Sequence, residues 1–458
     1  MVKLAKQIEV DHQVTQLSLA AETLEFEKNA WDCQFYKRDA KKITATALFM
    51  SFWMMQQVGK NTLRNWAVKI GERTMKTVTK QSLDERLNES AVKMGRQTLK
   101  KALNLKLDKK HMQKQKKNYA QLLLPFNRIL IRDSTTQQLP DHLSDVFPGS
   151  HSHGNPTAIM RVQALFNFTE EKWEDFSISA YTNNDQSAAE MYKDLLQKKD
   201  LLLQDLGYFT LAWIAQLVVN QYIITKWDNK TNLYNEDGNQ INLLELLGGK
   251  KQVDIPVLLG SKTRIPMRMI ARKLPADKAK ERIASARKDR HSKANHSKEY
   301  YELLKYEIYL TNISKDTLSA KQIAQLYGLR WHIEILFKSW KSYANFKKIF
   351  DKERMSYHRT CFSIYALLIE FVFLTVNIYH HVKQKIKQQT NAHLSILKFM
   401  DVANDLHEKI LNIQKLEQLD PYIPQFALHA TYEKRKKRKN TMEKYLYFNE
   451  LCILKMQT

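Results

Sequence analysis

Apolar residues recur at helical spacing through the first 122 positions, where strand signals are almost absent. Ile43 to Gln57, rich in Ala, Leu, Phe and Met, predicts a buried helix, while Leu63 to Lys76 and Leu83 to Leu103 predict amphipathic helices with basic outer faces. Ser82, with Glu85 three residues on, forms a capping-box pattern and is expected to open a helix able to enter a DNA groove; a plain helical bundle with a solvated basic face is the alternative. From Gln121 the pattern changes to short apolar runs. Strands are expected at Arg128–Asp133, at Ile159–Phe168 and Phe176–Ala180 as a hairpin, at Asp200–Asp205 and at Gln221–Lys226, with helices over Ser187–Gln197 and Leu211–Val219. Alternation in Val253–Leu259, Ile265–Arg272 and Tyr306–Thr311 predicts a mostly β insertion over about 227–311, broken by a basic, exposed stretch at Lys273–Lys298.

Tyr327 to Lys341 is the most ordered pattern in the chain. On a helix, Leu326, Leu329, Ile333, Leu336, Phe337 and Trp340 form one apolar stripe. Tyr327, Arg330, Glu334 and Lys341 fall within a wedge of about 60° beside it. Further on, Cys361–Tyr379 approaches the length of a membrane span, but Glu370 stands at its centre and no second span accompanies it, so a helix buried in the protein is expected and no membrane partner. Residues from 381 are again helical and basic, with a charged run at Lys434–Lys439.

Bulk properties narrow the partners. The 458 residues suggest about three units. A net charge of +25, from 73 Lys and Arg against 48 Asp and Glu, favours nucleic acid or an anionic surface. The basic stretch Lys100–Lys117 suits sequence-independent contact with phosphates. Cys33, Cys361 and Cys452 are far apart and lack CxxC spacing, which excludes a disulfide framework or a zinc site and fits a reducing cytoplasm. The N-terminus has no signal-peptide core. His151 and His153 lie in a Gly- and Pro-containing loop and read as solvent-facing.

The candidate chemistry lies in carboxylates. Asp133 and Asp205 each close an apolar strand-like run, and a carboxylate at a strand's end can reach a cleft; either one alone also reads as a turn former or helix cap. Asp185 competes with Asp205 but sits in a turn-like stretch. Arg330 and Glu334, four apart, also read as a surface ion pair. Together, Asp133, Asp205 and Glu334 can hold a pair of metal ions with hard oxygen donors.

The order of these residues, with the spacing Tyr327, Arg330, Glu334, Lys341 and the phrase Asp205-Leu-Gly-Tyr-Phe209, resembles the DDE transposases of the insertion sequence 4 family, over about Ile129 to Tyr379. The resemblance implies an α/β fold with a ribonuclease H-like catalytic core at 123–380, a mostly β insertion, a helical DNA-end-binding region at 1–122 and a basic helical region at 381–458. It implies Mg²⁺, with Mn²⁺ as a substitute, held by Asp133, Asp205 and Glu334, with Asp133 bridging two ions. Arg330 and Lys341 are expected to grip phosphate, Tyr327 to bond to a neighbouring phosphate, and Trp331 either to stack a displaced base or to pack on the sheet. The implied partners are double-stranded DNA, at the element's ends and the target, and a second copy of the chain in a homodimer. The implied reaction is nicking, hairpin formation and opening, and strand transfer, in a bacterial cytoplasm near the nucleoid. A nuclease on the same fold, or a DNA-binding protein without strand transfer, is the alternative.

Overall fold

The computed structural model describes residues 18–38, 42–58, 62–105, 125–152, 155–288, 297–345, 349–350 and 355–433. Most of the Lys100–Lys117 stretch, His153, Cys452 and the Lys434–Lys439 run lie outside these residues. The N-terminal region is helical, as its periodicity predicts: α1 Leu19–Thr23, α2 Phe26–Asp32, α3 Ala45–Val58, α4 Leu63–Thr74, α5 Lys80–Arg86 and α6 Glu89–Leu103. α3 is buried through Phe49, Phe52 and Trp53. The stretch expected as one helix from Leu83 to Leu103 is two, and Ser82 caps neither. Thr79, in extended backbone, accepts a hydrogen bond from Ser82 N and opens α5, so Ser82 already lies inside the helix. Asn88 accepts from Ser90 N and Ala91 N and opens α6.

Among the described residues one ten-stranded sheet forms the centre, in the order β2-β3-β1-β5-β6-β10-β9-β8-β7, with β4 paired to β3. Its strands are β1 Ile129–Leu139, β2 Pro148–Ser152, β3 Asn155–Asn167, β4 Lys172–Ala180, β5 Leu201–Gln204, β6 Tyr222–Lys226, β7 Leu233–Tyr234, β8 Gln252–Leu259, β9 Ile265–Lys273 and β10 Tyr306–Thr311. β1, β5 and β6 run parallel, with α7 Leu211–Asn220 crossing between β5 and β6; the remaining pairings are antiparallel. Alternation along β1 sends Ile129 and Ile131 into one core and Leu130 into the other. α7 covers the second core through Trp213, Ile214 and Leu217.

The helix expected over Ser187–Gln197 does not form; turns and a 3₁₀ segment, Lys193–Leu195, stand there. The cause lies on β1, where the fully buried Arg132 guanidinium donates to the carbonyls of Ala188 and Ala189 and lies 4.0 Å from the centre of the Tyr208 ring. Carbonyls turned toward a buried cation are drawn away from a helical ladder.

The insertion is mixed rather than mostly β. The β8–β9 hairpin joins the main sheet through β10, and helices α8 Leu243–Leu247, α9 Ala276–Arg287 and α10 Lys298–Leu303 accompany it. The basic stretch is therefore helical over α9. After β10 come α11 Ala320–Tyr327, begun by a capping box of Ser319 and Gln322, a 3₁₀ turn Gly328–Arg330, and α12 Trp331–Tyr343. The backbone stays right-handed helical through these turns, so the predicted stripe holds: Leu326, Leu329, Ile333, Leu336, Phe337 and Trp340 are all buried.

α13 Tyr357–Phe373, a wide π turn and α14 Tyr379–Thr390 form a continuous stretch, followed by α15 Ile396–Asp405, α16 His407–Asn412 and α17 Ile423–His429. Tyr357–Thr390 is long and apolar enough to cross a membrane, and 89% of its apolar window is buried inside the protein. Glu370, 1% exposed, accepts hydrogen bonds from Gln56, from Tyr343 at 3.1 Å and from His407 at 2.7 Å. An acid at the centre of an apolar helix is thereby satisfied by residues from α3, α12 and α16.

Candidate active site

Strand register brings the two aspartates together. β1 and β5 pair in parallel from Ile129 with Leu201 up to Arg132 with Gln204, and Asp133 and Asp205 are the next residue on each chain. Adjacent strands lie about 4.8 Å apart, so the two carboxylates emerge side by side. β1 does not stop at Asp133 as expected; it continues to Leu139 against β3, which holds Asp133 opposite Ala164. Asp205 instead leaves the sheet and starts the 3₁₀ turn Leu206–Tyr208.

α12 packs beside β1 and adds the third carboxylate. The Arg330 guanidinium stands among all three: Nη1 is 3.1 Å from Asp133 Oδ2, Nη2 is 2.6 Å from Glu334 Oε1, and Nε is 3.8 Å from Asp205 Oδ1. The side chains of Arg330 and Asp133 are 7% and 15% exposed, against 36% for Glu334 and 47% for Asp205, so the cluster is closed at its base and open at its rim. Burial works against the Arg330 charge, but Asp205, Tyr327, Asp133 and Glu334 together outweigh it and raise the pKa. Burial likewise pushes the Asp133 carboxyl up to about 7; Ser134 N–H, at 2.8 Å, and Arg330 pull it down, and Asp205 and Glu334 push it further up.

The other motif residues divide. Lys341 reaches the same side and donates to the Thr136 carbonyl at 2.6 Å, its pKa lowered by burial. Trp331 is 57% exposed and lies 5.2 Å from the Arg330 guanidinium, so it does not pack on the sheet. Tyr327 is 4% exposed, and its hydroxyl donates to Gln204 O at 3.4 Å beneath the cluster. Its ring lies 6.0 Å from the Arg330 guanidinium and 5.7 Å from Lys226 Nζ. Asp185 does not take the place of Asp205; it is bound to Ser134, Arg161 and Gln163.

Among the described residues no three His, Cys, Asp or Glu side chains stand close enough to cage an ion as they are. Asp133, Asp205 and Glu334 meet on a guanidinium instead. The donor set nevertheless fits a divalent metal: the oxygens are hard, and the partly exposed Asp205 and Glu334 carboxylates at the rim carry more negative charge than one guanidinium offsets. Electrostatics therefore favours a further cation at the rim.

Sequence reasoning passed over Lys226, at the end of β6, whose Nζ is 5.7 Å from the centre of the Tyr327 ring. It also missed the cleft beside Asp205, about 410 Å³, whose lining includes Leu206, Lys226, Trp227, Arg282, Tyr300 and Tyr306. Only the arrival of α9 and α10 over β6 and β10 creates it. Arg161 and Gln163, the polar positions within the apolar run Ala158–Phe166 of β3, were a legible signal that went unread.

Comparison with known proteins finds likeness to transposases. The family described as "Transposase DDE domain" matches residues 124–351. The transposase of insertion sequence element IS231F from Bacillus thuringiensis subsp. israelensis is 26% identical over 421 residues, covering 86% of each chain. The transposase of IS1151 from Clostridium perfringens is 24% identical over 378 residues, covering 78% of each. A cryo-EM structure of a piggyBac transposase synaptic complex with hairpin DNA aligns with a TM-score of 0.40 at 8% identity, covering 92% of this chain and 84% of that one. The matched domain spans both aspartates and the glutamate, and the relatives extend the match over most of the chain: it belongs to the DDE transposases of insertion sequences.

Proposed function

We propose that the chain cuts double-stranded DNA at the ends of its own element and joins the freed 3′ ends to a target, using Asp133, Asp205 and Glu334. The observation that carries this reading is the meeting of three carboxylates, from β1, the end of β5 and α12, around one guanidinium. These carboxylates would hold Mg²⁺, or Mn²⁺ in its place. When bound, such ions activate the attacking oxygen and stabilise the leaving one. The catalytic core is ribonuclease H-like, a reading supported by the antiparallel β1, β3 and β4 joined to the parallel β5 and β6.

Arg330 and Lys341 then bind the phosphates flanking the cut. A guanidinium released from a carboxylate offers two parallel donors to a phosphate. Tyr327 supports the end of β5 from below. Trp331 at the rim, or the aromatic residues of the cleft beside Asp205, hold a base displaced during hairpin formation. Residues 1–122 bind the terminal repeats, 123–380 carry the chemistry and 381–458 add basic contacts; two copies bridge two ends, in a bacterial cytoplasm. The net charge of +25 supports this partner.

The test is cleavage of labelled duplex carrying the flanking repeats, with Mg²⁺, by the native protein and by Asp133→Asn, Asp205→Asn and Glu334→Gln. Nicking and strand transfer by the native protein, with variants that bind without cutting, is the expected result. Variants that cut as well as the native protein overturn the site, and cutting without joining makes the protein a nuclease.

A further inference from the structure

We propose that Asp185 is a positioning residue that sets the relative placement of Asp133 and Asp205, an inference resting on the metal-holding role given to those aspartates above. Asp185 comes from the loop that follows β4, yet it touches Ser134, one residue past Asp133, and lies against Gly207, two residues past Asp205. Its Oδ1 accepts from Ser134 Oγ at 2.8 Å, Arg161 Nη1 at 2.9 Å and Gln163 Nε2 at 2.9 Å. Its Oδ2 faces Gly207 so closely that a Cβ there would stand 3.0 Å away. Gly207 is outside the left-handed region, so the close approach, and not backbone conformation, is what calls for glycine.

Both contacts lead directly to the site. Ser134, held by Asp185 through its hydroxyl, gives its own N–H to Asp133 Oδ1 at 2.8 Å. Gln163, held by Asp185 through its amide nitrogen, accepts the Tyr208 hydroxyl through its amide oxygen, and Tyr208 closes the turn that Asp205 begins. Gln163 and Tyr208 are fully buried. Arg161 donates to both Ser134 Oγ and Asp185, fixing the orientation of the hydroxyl. One carboxylate thus ties the continuing strand of Asp133 to the departing turn of Asp205. The Arg132 clamp on Ala188 and Ala189 holds the same loop from the same face of β1, two residues before Ser134. Groups that orient metal-holding carboxylates in this way act on metal affinity.

The test is Mn²⁺ affinity of the full chain without DNA, measured by calorimetry, together with the urea midpoint of each variant. Asp185→Ala is expected to weaken Mn²⁺ binding by about 10- to 100-fold. Asp185→Asn keeps the Oδ1 acceptor and should stay within about threefold of native. Ser134→Ala, which removes one hydroxyl and guards against a folding failure, and Gly207→Ala, which presses on Oδ2, should weaken binding in the same direction. Val92→Ala on α6 serves as a control for lost stability and should leave affinity unchanged. The proposal falls if Asp185→Ala and Ser134→Ala bind within about twofold of native while Asp133→Asn does not bind. It also falls if Val92→Ala weakens binding as much as they do. If Asp133→Asn itself binds as native, the metal assignment fails and takes the positioning role with it.

Discussion

Glu370 makes a sharp prediction because its carboxylate joins three parts of the chain in a place water does not reach. Replacing it with leucine leaves the Gln56 amide, the Tyr343 hydroxyl and the His407 imidazole nitrogen without an acceptor, in residues no more than 5% exposed. An unmet buried donor costs about 1–3 kcal/mol, so three cost roughly 6 kcal/mol. The buried leucine returns about 2 kcal/mol of apolar transfer. A net loss of about 4 kcal/mol is expected for Glu370→Leu, in the range found when a buried charged partner is removed. Glu370→Gln should lose only about 1 kcal/mol, because its oxygen still serves Tyr343 and His407 and the Gln56 amide can turn to meet its nitrogen. Urea unfolding of each variant measures both losses. Adding Gln56→Leu to Glu370→Leu should cost at least about 1 kcal/mol less than the two changes separately. A Glu370→Leu protein within about 1 kcal/mol of native, or strict additivity with Gln56→Leu, would refute the account.

Two further outcomes follow from single side chains. Burial raises the Asp175 carboxyl from its ordinary 3.8 to about 6, against the Phe176 N–H and Lys100, so the folded state holds this proton longer than the unfolded chain does. Its contribution to stability is present below pH 3.8 and lost as pH rises through 6. Asp175→Asn should therefore be more stable than native at pH 8, by about 1–2 kcal/mol after allowing for solvent screening, with the gap closing by pH 4; a gap independent of pH refutes the shift. Lys341→Met keeps the stem and loses the ammonium. It should lower the slope of log K for DNA against log salt by about one, as expected for one lost phosphate contact, while an unchanged slope removes Lys341 from the DNA surface.

The sequence itself named the carboxylates of the proposed site and carried much of the framework. Period-two and short apolar runs located β1, β3, β5 and β6, because each side chain's face follows from its position in the strand. The stripe from Leu326 to Trp340 placed Glu334 and Arg330 on a shared helix side because helical spacing is local geometry. Local rules failed where distant groups competed. Carbonyls at Ala188 and Ala189 went to Arg132 and no helix formed, and the charge of α9 gave no hint of the cleft it helps to build.

Residue types and their spacing along the chain thus determined which carboxylates could act and on which elements they sit. Tertiary structure alone decided that Asp133 and Asp205 lie at adjacent ends of paired strands, that Arg330 stands between all three acids, and that Asp185 and Glu370 hold remote segments together. The reason is physical: periodicity reports the direction of a side chain relative to its own backbone. Register, burial and the partners of buried charges depend on segments tens to hundreds of residues away, whose approach no local pattern encodes.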